Sequence, residues 1–252
     1  MPVAMITGAS SGIGAEFARQ LARRDYDLIL VARREDKLRE LADSLPVVCQ
    51  IAPADLSDGA DVSKLVRRLA ERDVDLLVNN AGFGSLGYFH QLPIEHEWRM
   101  HEVHVTATLR LTHAALGPMV KRCSGGIINV ASVSAFGRTP QTASYNATKS
   151  WMYAFSEGLA LEMKALRCGV SVQVLCPGFT MSEFHDTMHL DRAKLAPKWL
   201  WMTAEQVVAR SLKGFDRGEV FVIPGWHYRL GSAVMTKLPS RVRFWLEGRR
   251  RS

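Results

Sequence analysis

The feature that most constrains the fold of this chain is a glycine-rich turn close to its N-terminus. A short apolar run, Val3–Thr7, leads directly into Gly8. Glycines let the backbone turn sharply and approach a ligand closely. Apolar residues at helical spacing follow, so the turn should aim the free N–H groups of a helix N-terminus at an anion. A plain strand–helix turn is the alternative, but we predict a dinucleotide site formed by Thr7, Gly8, Ser10, Ser11, Gly12, Ile13 and Gly14.

Beyond this turn, short apolar runs alternate with longer amphipathic segments. Unbroken apolar runs are typical of strands buried on both faces, and their alternation with helices predicts a parallel sheet with right-handed crossovers. The strands are predicted at Val3–Thr7, Leu28–Ala32, Val47–Ile51, Asp75–Asn79, Ile127–Ser132, Ser171–Cys176 and Glu219–Ile223. The main helices after the first are predicted at Glu35–Ser44, Ala60–Arg72, Glu95–Arg122, Tyr145–Arg167 and Thr203–Asp216. Residues 1–225 should therefore form a single α/β domain, a doubly wound and mostly parallel sheet with helices on both faces.

The ends of the second, third and fourth strands carry further candidate cofactor-binding residues. Arg33 follows the second strand, where an enzyme that prefers NAD usually has an acidic residue. A guanidinium there suits a 2′-phosphate, so we predict NADP(H) as the cofactor. Asp55, next to Leu56, could accept a hydrogen bond from the adenine amino group, or it could simply be a helix N-cap or a loop aspartate. After the fourth strand, small residues should let the backbone pass close to the cofactor: Asn80, Ala81 and Gly82.

Tyr145 and Lys149 are the candidate catalytic pair. They are four residues apart and share one face of a predicted helix. A phenol has a pKa near about 10, and a neighbouring ammonium should lower it and make the hydroxyl a usable general acid or base. Ser132, at the end of the fifth strand, could position the substrate oxygen, and Ser134 is a second candidate for that role.

In order and spacing, these residues resemble the short-chain dehydrogenase/reductases over nearly the full chain; the matching positions are Thr7–Gly14, Asp55, Asn79–Gly82, Ser132, Tyr145, Lys149 and Pro177-Gly178. The resemblance implies a seven-stranded Rossmann sheet, a nicotinamide cofactor, a Ser–Tyr–Lys centre and a homodimer or homotetramer. It also implies that the segment after the sixth strand lines the nicotinamide, through Pro177, Gly178, Thr180 and Ser182. Ser182 stands where many relatives have threonine, and it keeps the hydroxyl.

His104 is a departure from the family pattern. Relatives usually have asparagine there, which supports a water leading to the lysine, largely through its backbone carbonyl. A histidine could keep that backbone role, alter the proton relay or the helix geometry, or titrate near neutral pH. The alternative function that follows from it is an NADPH-binding sensor with little turnover.

Residues of about 180–202 are predicted to form a lid over the nicotinamide. The segment is apolar for a loop, with aromatic residues such as Phe184, Trp199 and Trp201. Pockets for small molecules are lined in this way, so the predicted substrate is a hydrophobic carbonyl or alcohol compound. The alternative is that these residues simply pack on the sheet.

The tail, residues 226–252, mixes apolar side chains with arginines, and the whole chain has a net charge of +7. The tail could lie on a membrane surface, cover the substrate pocket, form a subunit interface or be solvated. No nucleic-acid recognition motif accompanies the charge, so nucleic acid is not a predicted partner.

The cysteines and histidines give no sign of a metal or a disulfide framework. The four cysteines are widely spaced and form no C-x-x-C pair. Glu97, His101 and His104 lie at helical spacing, but no second cluster matches them, so no metal site is predicted. The N-terminal apolar run meets glycine at once, unlike a signal peptide. A cytoplasmic location, peripheral to a membrane if the tail binds one, is therefore expected.

Overall fold

The structure is a computed structural model, and it describes residues 1–71, 74–182 and 196–248. The strands are β1 Val3–Thr7, β2 Asp27–Ala32, β3 Cys49–Pro53, β4 Leu76–Asn79, β5 Gly125–Val130, β6 Val170–Leu175, β7 Thr180–Met181, β8 Met202–Thr203 and β9 Phe221–Val222. The helices are α1 Gly12–Ala22, α2 Glu35–Asp43, α3 Gly59–Glu71, α4 Ile94–His101, α5 Thr108–Lys121, α6 Ala143–Ala165, α7 Ala204–Phe215, α8 Trp226–Lys237 and α9 Ser240–Gly248. A π-helical stretch, Glu102–Ala107, joins α4 to α5.

The main sheet has seven strands in the order β3-β2-β1-β4-β5-β6-β9, and every pairing in it is parallel. β1 lies between β2 and β4, so the direction of winding reverses beside it. In such sheets ligands bind at the carboxyl ends of the strands next to this reversal. The predicted seven-stranded, doubly wound α/β Rossmann fold is confirmed.

Alternate residues of each strand pack against opposite layers of helices. On β1, Ile6 belongs to a core shared with α1, α2 and α7, whereas Met5 belongs to a core shared with α3, α5 and α6. Both side chains are fully buried. Burial on both faces explains why the strands are continuous apolar runs in the sequence.

The predicted elements differ from the observed ones at β3 and in the helix that follows Glu95. β3 continues beyond the predicted end at Ile51 to Pro53, because β3 is an edge strand, where a missing N–H is tolerated. The single long helix predicted from Glu95 to Arg122 runs from α4 to α5, but its middle is π-helical.

The segment predicted as a lid and the tail contain more regular structure than the sequence indicated. β7 and β8 pair in parallel, with Thr180 opposite Met202. The rest of the predicted lid at 183–195, with Phe184, lies outside the described residues. The tail forms α8 and α9 up to residue 248. Within the described ranges, no helix combines the length and apolar character needed to cross a bilayer.

Candidate active site

The glycine turn has the geometry of an anion cradle. Gly8 and Gly12 have positive φ angles of 67° and 54°, which favour glycine. A Cβ atom on Gly14 would lie 2.1 Å from the carbonyl oxygen of Gly8, so only glycine permits this approach. Ser11 is the N-cap of α1 but makes no side-chain cap hydrogen bond. The Ser11 side chain therefore does not occupy the N–H groups of the first turn of α1, as a bound pyrophosphate would require.

Thr7 has a structural position behind this turn. Its side chain is buried, and its hydroxyl accepts hydrogen bonds from the N–H groups of Asn80, at 2.9 Å, and Ala81, at 3.0 Å. The Asn80 amide in turn donates to the carbonyl oxygen of Thr7 at 2.9 Å. These bonds join the carboxyl ends of β1 and β4 and fix the backbone that faces the cavity.

A cavity of about 590 Å³ opens at the carboxyl ends of the strands. Most of the predicted site residues line it, namely Gly8, Ser10, Ser11, Gly12, Ile13, Arg33, Asp55, Leu56, Asn80, Ala81, Gly82, Ser132, Tyr145, Lys149, Pro177, Gly178, Thr180 and Ser182. Three predicted residues do not line it: Thr7, Gly14 and His104. The structure thus brings the glycine turn and the Tyr145–Lys149 pair into one cavity, although they are far apart in sequence.

At one end of the cavity, two arginines stand at the end of β2. Arg33 and Arg34 are both exposed and both line the cavity. Arg34 donates a hydrogen bond from Nη2 to Ser10 Oγ at 3.1 Å. The arginine pair therefore lies beside the glycine turn, and this end of the cavity is positively charged.

Asp55 lines the same end and is held by groups that sequence reasoning did not identify. Its Oδ2 pairs with Arg99 Nη2 of α4 at 3.1 Å, and its Oδ1 accepts the N–H of Ser57 at 2.9 Å. Burial raises the pKa of Asp55, but the Ser57 hydrogen bonds and the charges of Arg33 and Arg99 outweigh it and leave the pKa below its usual value. Asp55 is therefore a loop aspartate that braces the turn before α3 and lines the cavity, and it does not cap α3, which begins at Gly59. Its contact with adenine stays a prediction.

Tyr145 lies near the start of α6, and its hydroxyl faces the segment that follows β5. Burial raises the pKa of Tyr145 to about 12, while the hydroxyls of Ser132 and Ser134 act in the opposite direction. Ser132 caps a short 3-10 helix and accepts the N–H of Ser134 at 3.1 Å. Both serines therefore lie beside the phenol, as the sequence predicted for one or the other.

The expectation that Lys149 lowers the pKa of Tyr145 needs a correction. Lys149 is buried, and its Nζ donates to the carbonyl oxygen of Val130 at 3.0 Å, 5.9 Å from the centre of the Tyr145 ring. Burial also lowers the pKa of Lys149 to about 8. The groups that lower the pKa of Tyr145 are the serine hydroxyls, because the ammonium is turned toward the strand.

His104 is fully buried behind Gly82 and lies inside the π-helical stretch. Its Nε2 accepts the N–H of Phe83 at 3.2 Å, so the ring proton must be on Nδ1, which lies 2.9 Å from Thr148 Oγ1. Thr148 in turn donates to the carbonyl oxygen of Tyr145 at 2.8 Å.

This environment corrects the expectation that His104 titrates near neutral pH. Burial, and then the positive charge of Lys149, hold the pKa of His104 well below its usual value. The ring is neutral and links the loop after β4 to α6. Its neighbour at helical spacing, His101, contacts Ser144 Oγ at 2.9 Å.

The part of the cavity around Tyr145, which we propose below as the substrate half, contains residues that the sequence analysis missed. The polar ones include Ser85, Thr139, Thr142 and Asn146, and the apolar ones include Phe83, Leu86 and Phe179. Asn146 directly follows Tyr145 and donates to Thr142 Oγ1 at 2.9 Å. Its position one residue after the candidate tyrosine is the only sequence signal that could have indicated it.

Tyr228 of α8 was also missed, and it joins both ends of the predicted lid. Its hydroxyl accepts the N–H of Phe179 at 2.9 Å and donates to the carbonyl oxygen of Leu200 at 2.8 Å. A Cβ atom on Gly178 would lie 2.0 Å from the Tyr228 ring, so Gly178 is needed for this packing as well as for the cavity wall. The tail therefore holds the segment that the sequence predicts to contact nicotinamide.

The family of the chain is given by comparison with known proteins. Residues 2–193 match the sequence profile of the short chain dehydrogenase family. A short-chain dehydrogenase from Sphingobium yanoikuyae, solved in complex with NADPH, is 34% identical, with a TM-score of 0.84 over 95% of this chain and 97% of that one. A bulky-bulky ketone specific alcohol dehydrogenase from Comamonas testosteroni is 31% identical, with a TM-score of 0.79 over 95% of this chain and 96% of that one.

A curated human relative is named inactive hydroxysteroid dehydrogenase-like protein 1. It is 35% identical over 69% of this chain, and the match covers 54% of the relative's length. The family thus includes proteins described as inactive beside active enzymes. On the profile match, the similar structures and the shared fold, this chain belongs to the short-chain dehydrogenase family of oxidoreductases.

Proposed function

We propose that this protein is an NADP(H)-dependent oxidoreductase that interconverts a carbonyl and an alcohol on a hydrophobic substrate. One observation carries the proposal. Tyr145, Lys149 and Ser132 line the same cavity as an uncapped helix N-terminus preceded by a glycine turn. A proton donor and a nucleotide cradle therefore face one space, which is what hydride transfer to a carbonyl requires.

The residues that would hold the cofactor line the cavity, and their roles are proposed from their charge and from the family resemblance. The first turn of α1 would hold the pyrophosphate. Arg33 would bind the 2′-phosphate, with Arg34 beside it, because guanidinium groups form strong charge-assisted bonds to phosphate. Asp55 and Leu56 would lie at the adenine, and Thr180 and Ser182 at the nicotinamide carboxamide. When bound, the cofactor supplies the hydride in reduction and accepts it in oxidation.

Tyr145 would supply the proton in the reductive direction. As hydride reaches the carbonyl carbon, the developing alkoxide takes the phenolic proton, and Ser132 holds the oxygen in place. The raised pKa of Tyr145 suits this role, because the phenol stays protonated at neutral pH until an alkoxide forms. Lys149 would stabilise the phenolate that remains once its Nζ turns from the carbonyl oxygen of Val130 toward the phenol, which lies one helical turn away on α6. Solvent then returns the proton.

The substrate is inferred to be hydrophobic from the walls around the proton donor. Phe83, Leu86, Val133 and Phe179 line that half of the cavity. The similarity to an alcohol dehydrogenase described as specific for bulky-bulky ketones points the same way. By family resemblance we also expect a homodimer or homotetramer, which sedimentation of the purified protein would measure.

The test is NADPH consumption with a panel of hydrophobic ketones and aldehydes, together with a fluorescence titration of cofactor binding. Tyr145→Phe is the test variant. Tyr153→Phe is its matched control, since Tyr153 lies on the same helix, α6, but does not line the cavity. We expect turnover by the wild type and the control and its loss in Tyr145→Phe. Binding of NADPH without turnover on any substrate would instead favour the sensor function.

A further inference from the structure

We propose that the outer surface of α8 and α9 docks the protein on an anionic membrane, beside the opening of the catalytic cavity. The tail, residues 226–252, holds seven of the Arg and Lys residues and a single acidic residue, Glu247. Four of the seven, Arg229, Lys237, Arg241 and Arg243, lie on α8 and α9, and the other three, Arg249, Arg250 and Arg251, lie outside the described residues. The tail therefore accounts for six of the seven net positive charges of the chain, and residues 1–225 are almost neutral. A charge concentrated in so short a segment favours a negatively charged surface as its partner.

The same segment exposes apolar side chains in a regular pattern. On α8, Trp226, Leu230 and Val234 follow at four-residue intervals and form one exposed stripe. On α9, Phe244 is 82% exposed and Trp245 is 53% exposed. Tryptophan is enriched where proteins meet the headgroup region of a bilayer, because its ring is apolar and its N–H is polar.

The exposed side chains belong to helices with a fixed position, since the opposite face of α8 and α9 packs on the rest of the fold. Tyr228 and Ser232 of α8 point inward, and the Tyr228 hydroxyl bridges Phe179 and Leu200. On α9, Glu247 is buried, and its Oε1 accepts the N–H of Arg138 at 2.7 Å. The outward stripe thus has a fixed orientation relative to the cavity.

A membrane fits this surface better than a second copy of the chain. A symmetric interface through the tails would bring two strongly basic segments together, and like charges at an interface are unfavourable. The combination of basic residues with large aliphatic and aromatic side chains is instead that of an interfacial helix on anionic lipid.

The position of the surface gives it a functional consequence, which rests on the proposed function. Phe179 lines the cavity and Arg138 is adjacent to Thr139, which also lines it, so the tail borders the substrate half. An exposed Trp199, in ring contact with His227 of α8 at 5.5 Å, extends the apolar surface toward this rim. A protein seated on lipid in this way would take lipophilic carbonyl compounds directly from the bilayer.

The test is co-sedimentation of the full-length protein with vesicles of phosphatidylcholine alone and of phosphatidylcholine mixed with phosphatidylglycerol. The charge variant replaces four tail cations by glutamine: Arg229, Lys237, Arg241 and Arg243. Its matched control removes four exposed cations elsewhere: Arg23, Arg67, Lys213 and Arg217. Because the two variants have the same net charge, only the position of the charge differs. A third variant, with Trp226, Leu230 and Phe244 changed to serine, is compared with Leu161→Ser on α6, which is also exposed.

We expect binding to the anionic vesicles only, weakened roughly fivefold for each tail cation removed, so by several hundredfold in the charge variant. The control should bind like the wild type, and added salt should weaken binding. Absence of binding to anionic vesicles, or equal binding by the two charge variants, would overturn the proposal. A dimer that dissociates in the tail variants, without vesicle binding, would assign the surface to a second copy. Because vesicle binding is measured without cofactor or substrate, its outcome is independent of whether the protein is a reductase.

Discussion

Replacement of the buried His104 by leucine should change both the stability of the protein and its dependence on pH. His104 accepts the N–H of Phe83 and contacts Thr148 Oγ1, and its side chain is completely buried. Leucine has a similar size but leaves the Phe83 N–H without a partner and deprives Thr148 of a hydrogen bond. A buried polar group left unpaired costs roughly 1–3 kcal/mol, so we expect the free energy of unfolding at neutral pH to fall by about 2–4 kcal/mol.

The pH dependence follows from the lowered pKa of His104. The unfolded chain binds a proton at this residue below about pH 6.5, whereas the folded protein keeps the ring neutral to a much lower pH. The free energy of unfolding therefore falls as the pH decreases below about 6.5, by up to about 1.4 kcal/mol per pH unit from this group. His104→Leu should lose this component.

Urea denaturation followed by circular dichroism, at a series of pH values from about 7 to about 5, measures both effects. The control is His90→Leu, since His90 is exposed and its replacement should leave the free energy of unfolding at neutral pH unchanged. The reasoning is refuted if His104→Leu unfolds with the same free energy as the wild type, or if it keeps the same dependence on pH.

Three further predictions concern the cofactor, the lid and the buried lysine. Arg33→Ala should raise the KM for NADPH roughly tenfold to a hundredfold, because one or more charge-assisted bonds to the 2′-phosphate are lost, and it should leave the KM for NADH unchanged. Arg23→Ala is the control, and an equal effect of Arg33→Ala on both cofactors would contradict the assignment. Tyr228→Phe removes both hydrogen bonds between the half-buried hydroxyl and the backbone, so it should lower the free energy of unfolding by about 1–2 kcal/mol and raise the KM of the substrate. The control Tyr88→Phe, at an exposed tyrosine, should change neither quantity. Burial lowers the pKa of Lys149 to about 8 in the folded protein, whereas the unfolded value is about 10.4. Between these two pH values the unfolded chain binds more protons, so the free energy of unfolding should rise with pH. Lys149→Met should flatten this rise in a series of denaturation curves.

The fold could be predicted from the sequence because the apolar runs and the glycine turn each favour the same structure that the whole chain adopts. Leu28–Ala32 is an unbroken apolar run that makes up all of β2 except its first residue, Asp27, and its central residues are buried against both helix layers. The turn requires glycine because residues close in sequence approach each other tightly, as Gly14 approaches the Gly8 carbonyl oxygen. Such glycines can be recognised in a single sequence, because a side chain at these positions would clash with the backbone.

Contacts between residues distant in sequence were not predictable in this way. The Arg99–Asp55 ion pair, the Tyr228 bridge and the Glu247 hydrogen bond each join residues at least 28 positions apart in the chain. Burial also changed the expected chemistry. The neutrality of His104 and the orientation of Lys149 toward Val130 depend on how α6 packs on the π-helical stretch and on β5, and helical spacing carries no information about that packing.

The central claim is that the Tyr145 hydroxyl donates the proton that accompanies hydride transfer. Its most direct test is the single-turnover rate at which enzyme-bound NADPH reduces a hydrophobic ketone, compared between the wild type, Tyr145→Phe and Tyr153→Phe. We predict that Tyr145→Phe binds NADPH as tightly as the wild type but reduces the ketone roughly a hundredfold to ten thousandfold more slowly, with Tyr153→Phe unaffected. Reduction by Tyr145→Phe at the wild-type rate would contradict the claim.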